Sequence, residues 1–410
     1  MTGRPGMTTD PAPTTARAAG SSLAVDQAQV SRYGLAPSAE PAEPGRVRAL
    51  VGGTWRGLNA AEAALATLGE AGAAHWPLLP ELPDRGPGAE PVGRTAALLP
   101  DLAVDLQPHG WRISPPGARS NGMDHRRATA HLSEDLHRLA DTAGAEGIGI
   151  DRLAVRVVGP LSLLGSLWLP GGERVAVDAG ARRDVAAAWT EGVAGLLSRL
   201  RTEAGARRTA LWIDEPLAAA VLAGALPTAS GYRTVRSVPR DEARTHWRAA
   251  LAVLAGEEAR ASGAAPARAW IDAGRRGCSA EEGPGPADLA LLASEALPTP
   301  VAPAADDGRG GSAAQTVGVA VDAPDPDVPA GPAAWDVVGG WSEAGRPLAI
   351  RHVAGRGPAA LMRDVERVGL DPALTVGWTL MGPAVVGKDA LRRTAQAADE
   401  LEDRRTDLAG

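Results

Sequence analysis

The sequence predicts a large parallel α/β protein, and three observations carry that expectation. Short apolar runs recur along the chain and are continuous rather than alternating, the pattern of strands buried on both faces. Longer stretches with helical spacing separate them, and parallel strands need such crossovers. The chain has 410 residues, 44% of them hydrophobic, enough apolar material for a large core.

Taken in order, the first 44 residues are rich in Ala, Pro, Thr, Gly and Ser without sustained periodicity, which predicts a disordered tail over residues 1–45 with at most a transient helical turn at 27–33. Order is expected to begin at Val47. Strands are predicted at 48–52, 153–158, 210–214, 267–272, 316–321 and 374–378, and helices at 60–69, 125–143, 181–204, 240–262, 359–368 and 388–403. The helix at 240 follows Pro239 and opens with Asp241 and Glu242, acids suited to the positive end of a helix. The last helix carries Leu391, Ala395, Ala398 and Leu401 as one stripe and is expected to pack as a closing helix. A stretch dense in Pro, Gly, Asp and Ala around 298–332 reads as long loops about a single strand. The expected division is a tail to residue 45, one domain over 46–403, and a short tail over 404–410.

Composition excludes several function classes. A formal net charge of −7 with scattered arginines argues against nucleic acid or an anionic membrane as a main partner, since both need a concentrated basic face. Lys388 stands alone among lysines, phenylalanine is absent, and Tyr33 and Tyr232 are the two tyrosines, a bias of GC-rich codons. Its physical consequence is a core of Leu, Val, Ala and Trp with small residues at many inward positions. A single cysteine, Cys278, excludes an internal disulfide or a Cys-pair metal site. No apolar run has the length of a signal peptide or a membrane span, so a cytoplasmic location is expected. Nothing in the sequence fixes an oligomeric state.

Particular phrases narrow the fold. Val51-Gly52-Gly53-Thr54-Trp55, Leu79-Pro80-Glu81-Leu82-Pro83-Asp84-Arg85-Gly86-Pro87-Gly88-Ala89 with Gly93-Arg94-Thr95-Ala96-Ala97-Leu98-Leu99, Val158-Gly159-Pro160, Leu169-Pro170-Gly171-Gly172-Glu173-Arg174, and Ile213-Asp214-Glu215-Pro216 with Val221-Leu222-Ala223-Gly224 occur in that order. Together they resemble the cobalamin-independent methionine synthase-like family, short single-barrel type, within the uroporphyrinogen decarboxylase/methionine synthase-like superfamily. The resemblance covers about residues 47 to 300 and continues more sparsely through Gly369-Leu370-Asp371-Pro372-Ala373-Leu374. It implies a single (β/α)₈ TIM-type barrel that binds a small thiol amino acid at the C-terminal ends of its strands. The implied reaction is methyl transfer to the homocysteine thiol in methionine biosynthesis.

That chemistry needs a thiolate at neutral pH, which the family obtains from zinc held by a His-x-Cys, an acid and a further Cys. The resemblance places these positions on Trp270-Ile271-Asp272, on Asp288, and near Trp378. Indoles cannot ligate zinc, and Asp272 with Asp288 suits a hard cation better, so no cofactor is expected and the zinc site reads as lost. The amino-acid site is better kept: Asp214 and Glu215 would pair with an ammonium, and Gly53 and Thr54 would offer backbone N–H groups to a carboxylate. The structural alternative for Asp-Glu-Pro is a turn whose acids cap the following helix. Trp55, Trp270 and Trp378 fall at predicted strand ends and are expected to line the barrel mouth, whereas Trp189, Trp212 and Trp247 read as core.

Other candidates carry less. His125, His131 and His137 recur every six residues on one helix, each turned about 240° from the last, so they do not converge. His131 and Asp135 share a face but read as helix surface. Cys278 lies beside Arg275 and Arg276, and Gly308-Arg309-Gly310-Gly311-Ser312 reads as a loop. Three functions remain: a methyltransferase of the family's type, a non-catalytic or repurposed barrel binding an amino-acid-like ligand or a protein partner, and a metal-free decarboxylase with Arg85, Arg94 and Arg112 lining its pocket. The preferred reading is a methionine synthase-like barrel with degraded catalytic capacity.

Overall fold

Eight strands pair edge to edge, all in parallel: β1 (Arg48–Val51), β2 (Trp76–Pro77), β3 (Arg152–Val158), β4 (Arg208–Asp214), β5 (Arg268–Asp272), β6 (Val317–Asp322), β7 (Leu348–Arg351) and β8 (Trp378–Met381). The computed structural model describes residues 45–115, 122–252, 268–272, 317–327, 331–351 and 357–409, which belong to one compact unit. Neighbours in the sheet run β2-β1-β8-β7-β6-β5-β4-β3. The two outer members meet through a parallel bridge between Leu78 and Ala154 and a 2.8 Å hydrogen bond from Leu79 N to Ala154 O, so the sheet curls into a nearly closed barrel.

The register fixes the stagger. Partners step from Arg48 to Thr379, Ala349, Ala320, Asp272, Asp214 and Val158; extending the same alignment through Leu82 returns to β1 at Arg56, eight residues from the start. Eight strands with a shear of eight is the geometry of TIM-like barrels, in which inward residues form rings of four from alternate strands. Here the lowest ring holds Arg48, Arg152 and Arg268. Above it stand Trp76, Ala210, Gly318 and Thr379, then Leu50, Ala154, Trp270 and Ala349, then Leu78, Trp212, Ala320 and Met381. Gly52, Arg156, Asp272 and Arg351 form the ring at the C-terminal ends. The apolar members of the three middle rings make one buried cluster, separate from the outer core under the helices.

In a chain without phenylalanine, tryptophan fills this interior, and small partners make room for it. Trp76 and Trp270 meet edge to face with ring centres 6.1 Å apart, an arrangement aromatic rings favour. The indoles bring a penalty: Nε1 of Trp76 and of Trp270, and Oγ1 of Thr379, are buried without a hydrogen-bond partner, each costing about 1–3 kcal/mol.

Helices wrap the barrel: α1 (Ala60–Ala71), α2 (Pro91–Ala96) and α3 (Met123–Ala145), α4 (Pro160–Ser166) and α5 (Ala179–Thr202), α6 (Ala218–Ala223) and α7 (Arg240–Ala252), α8 (Gly331–Glu343), α9 (Pro358–Arg367) and α10 (Lys388–Ala409). Asn59 caps α1 through Glu62 N at 3.1 Å, and Asp178 caps α5 through Ala181 N at 2.7 Å. The expected closing role of α10 is met by side chains: Glu402 accepts from Val47 N at 2.9 Å and Asp399 pairs with Arg46 at 2.7 Å, clamping the start of β1. Residues 404–409 continue this helix instead of forming a tail, helped by Arg404–Glu400 and Arg405–Glu402 pairs one turn apart.

Two barrel strands, β2 and β7, and four helices, the short α2, α4 and α6 and the longer α8, escape the sequence pattern. β2 is two residues long and ends in Pro77, β7 is a four-residue run after Pro347, and α8 contains Pro332, Gly339 and Gly340. The strand expected at 374–378 is displaced: Asp371 caps a 3₁₀ turn over Pro372–Gly377, and β8 begins only at Trp378. The expected N-terminal tail, residues 253–262 of the expected 240–262 helix, Cys278, Asp288 and the expected 308–312 loop lie outside the described residues.

Candidate functional site

At the C-terminal ends of the strands, six charged side chains form two triplets. Arg156, inward on β3, donates from Nη1 to Glu81 Oε2 at 3.2 Å and from Nε to Asp214 Oδ2 at 3.1 Å, with Nη2 also on Asp214. Arg351, inward on β7, donates from Nη1 to Asp272 and from Nε to Asp322 Oδ1 at 2.7 Å. Trp212 forms the base of the mouth: its Nε1 donates to Asp272 Oδ2 at 3.1 Å, and the Arg156 guanidinium lies 4.9 Å from its ring centre. Glu81, Asp214 and Asp272 are all buried.

The electrostatics follow from burial and from shared partners. Burial pushes the Asp214 carboxyl above its usual range; Arg156 pulls it back, while Asp272 and Glu81 push the same way as burial. Burial opposes the charge on Arg156, but Glu81 and Asp214 outweigh it and hold the guanidinium above its ordinary value. Arg351 behaves alike, with Asp272 and Asp322 outweighing burial. In the first triplet two carboxylates share one cation.

The backbone explains how Glu81 gets there. Gly52 and Gly53 have φ of 153° and 154°, and a side chain on Gly52 would collide with Leu78, one on Gly53 with Ala384 O. This close approach lets Glu81 N reach Gly53 O at 3.4 Å and Trp55 N reach Glu81 O at 2.8 Å. The Thr54 N–H is taken by Ala384 O at 2.9 Å. Gly53 and Thr54 therefore position the segment carrying Glu81, and the Thr54 N–H is not presented to a ligand.

Asp214 and Glu215 part company. With Asp214 turned inward, the next residue faces the helical layer. Glu215 is fully buried there and accepts from Leu161 N at 3.1 Å, Ser162 N at 2.7 Å and Trp247 Nε1 at 3.1 Å. It caps α4, the helix after β3, and ties α7 to it; Gly159 leaves the room, since a side chain there would collide with the Glu215 carboxylate. Burial drives the Glu215 carboxyl up to about 7, against hydrogen bonds that favour the charged form. Its role is the structural alternative, exercised on the preceding helix rather than the following one.

Of the three tryptophans expected at the mouth, Trp270 is inside the barrel but two rings below the Arg156 level. Trp378 lies at the start of β8 instead of its end and faces outward, its Nε1 on Ser342 Oγ at 2.9 Å. The displaced start of β8 accounts for this. Trp55 belongs to the outer core, on a two-residue strand paired with Val385–Val386. Trp189, Trp212 and Trp247 are buried, as expected. The decarboxylase arginines are occupied elsewhere: Arg85 and Arg94 both grip Asp135 of α3, Arg94 at 2.5 Å, and Arg112 pairs with Asp105 at 2.7 Å across a surface hairpin.

The described residues at the positions that the resemblance assigns to zinc do not fit that metal. Where a His-x-Cys pair is needed stand an indole in the packed interior and Asp272, whose carboxylate receives Arg351 and Trp212. Among the described residues no group of three or more His, Cys, Asp or Glu is arranged to hold a metal ion.

Sequence reasoning missed Glu81, Arg156, Asp322 and Arg351 as site residues. Arg156 is one charge inside the otherwise apolar run Leu153–Val158, a signal that an inward polar position interrupts the core. Arg351 was hidden because β7 was not recognised. No family model matches this chain, and no curated protein matches it in sequence.

Proposed function

We propose that this chain is a TIM-type barrel of methionine synthase-like descent that binds a small amino-acid-like ligand at the C-terminal mouth and has lost the zinc-dependent reaction. The observation that carries this reading is the Glu81–Arg156–Asp214 triplet, in which two buried carboxylates share one guanidinium. An incoming ammonium supplies the second cation and offsets the burial, and the repulsion by Asp272 and Glu81, that raise Asp214. Arg156 and Arg351 stand in the same ring, so the carboxylate end of a zwitterion has guanidinium donors within the same mouth. Among the described residues no helix is long and apolar enough to cross a membrane, and we place the protein in the cytoplasm.

The methyltransferase reading comes second. It requires a group that makes the sulfur a thiolate, and the Trp270–Asp272 donor set is unsuited to the zinc that would do so. Titration of the full chain with methionine and with homocysteine tests the first reading: native protein binds at least one, and Asp214→Asn weakens that binding tenfold or more while leaving the fold intact. Binding of neither compound ends the proposal. Stoichiometric zinc in protein purified without chelators would restore the second reading.

A further inference from the structure

The pairing of β1 with β2 is short, because β2 is only two residues long. One step below it, the Ala49 N–H meets a side chain instead of a strand: it donates to His75 Nδ1 at 3.1 Å. His75 is 3% exposed, and its own backbone N–H donates to Ala71 O, the end of α1, at 3.3 Å. The second ring nitrogen, Nε2, lies 3.4 Å from Asp399 Oδ2 of α10. Asp399 also receives Arg46, just before β1, at 2.7 Å. One buried imidazole therefore connects the first strand of the barrel with its last helix.

These contacts fix where the proton sits. A backbone N–H can only donate, so Nδ1 keeps its lone pair and Nε2 carries the hydrogen, aimed at the Asp399 carboxylate. A second proton would have to go on Nδ1, which would then present an N–H to the N–H of Ala49. The imidazolium would attract Asp399 more strongly, but the Ala49 N–H would be left buried without its acceptor. Burial holds the imidazole below its usual 6.5; Asp399 pulls it up, and Arg46 and Arg48 push it down. Two other carboxylates on the surrounding helices are engaged elsewhere, Glu402 of α10 with Val47 N at 2.9 Å and Glu70 of α1 with Arg392 of α10 at 3.1 Å.

We propose that His75 is a proton-operated latch: neutral, it joins β1 to α10 through Ala49 and Asp399; protonated, it lets go of Ala49 and the joint between strand and helix opens. The latch lies at the start of β1, away from the mouth, and does not depend on what the mouth binds.

Hydrogen exchange of the full chain, corrected for the intrinsic effect of pH, tests this. The folded imidazole takes up a proton less readily than the free one, so opening is accompanied by proton uptake. The contribution of the latch is complete above pH 6.5 and is lost as the pH falls below it, until the folded imidazole itself becomes charged. Protection of β1 and α10 is therefore expected to fall with decreasing pH by up to about tenfold per unit, the limit for one proton. His75→Asn supplies the comparison: its Oδ1 takes the place of Nδ1 and accepts from Ala49, but it does not titrate. All other titrating groups are shared, so the variant is expected to lose less protection than native over the same range. Identical pH profiles in the two proteins overturn the proposal. Histidine ¹⁵N chemical shifts of the native chain give a second measurement that needs no variant. They are expected to show the Nε2–H tautomer of His75 at neutral pH and titration below 6.5. An Nδ1–H tautomer, or titration above 6.5, overturns the proposal.

Discussion

At the mouth of the barrel each inward arginine lies between two carboxylates, Arg156 between Glu81 and Asp214 and Arg351 between Asp272 and Asp322, whereas at the other end Arg48, Arg152 and Arg268 face one another. The side chain is the same, as is its inward direction. What differs is who supplies the counter-charge. At the mouth the protein supplies it in excess, which fixes the geometry of the site and leaves it receptive to a cation. At the floor Arg48 and Arg152 also give hydrogen bonds to backbone carbonyls, and the carboxylate of Asp151 stands at the rim, shared by Arg152 and Arg208. Buried charge is costly in both places, and only pairing lowers that cost.

The largest expected effect breaks the mouth. Arg156→Met leaves Glu81 and Asp214 buried together without their cation, and removing one partner of a buried ion pair costs about 3–5 kcal/mol. Urea unfolding at pH 7 measures it. The loss is expected to shrink as the pH is lowered, because burial favours the protonated form of the stranded Asp214 carboxyl. A cost under about 1 kcal/mol would mean that the triplet does not hold the mouth together.

Next comes the wall between the two ends. Trp270→Ala empties the centre of the barrel, and large-to-small changes of a buried indole cost about 3–5 kcal/mol. The lower half of that range is expected, because the substitution also removes a buried Nε1 that has no partner.

How much of this was legible in the sequence depends on length and on parity. Long apolar runs such as Leu153–Val158 and Ala210–Asp214 declare strands by themselves, and five of the eight barrel strands were readable on that basis. Trp76–Pro77 and Leu348–Arg351 are too short to stand out, and they become strands only because neighbours pair with them. Asp214 could be placed at the mouth because it ends a long strand. Glu215 could not be assigned a direction until β4 had a register, since a step of one residue sends a side chain to the other face. The same uncertainty misplaced Trp378: a 3₁₀ turn where a strand was expected moved it to the start of β8 and turned it outward.

Asp214 and Glu215 permit a pH experiment that separates neighbours. Glu215 stands at about 7 in the fold against 4.5 ordinarily, so the folded state holds a proton that the unfolded chain has released between those values. Its contribution to stability is therefore complete below pH 4.5 and is lost as the pH rises through 7, with a ceiling of about 3 kcal/mol at 1.36 kcal/mol per unit. Glu215→Gln cannot titrate, and its unfolding free energy should be flatter than native from pH 5 to 8, by about 2 kcal/mol. Parallel native and variant profiles would show that Glu215 keeps its charge in the fold.

The smallest effect is the sharpest comparison, because Arg152 and Arg156 share β3, face the same interior and differ by four positions. Arg152→Met forfeits the hydrogen bond to Ala73 O and a share of Asp151, about 1 kcal/mol for a neutral acceptor and a partly exposed pair. It also relieves the desolvation of Arg152 and its repulsion by Arg208, so the net loss should fall below about 1 kcal/mol. Set against Arg156→Met, the expected gap is about 3 kcal/mol, and it arises chiefly from the two buried carboxylates that Arg156 serves, since strand, face and residue type are held constant. Equal losses for the two variants in urea titrations would mean that both ends of the barrel hold their arginines in the same way.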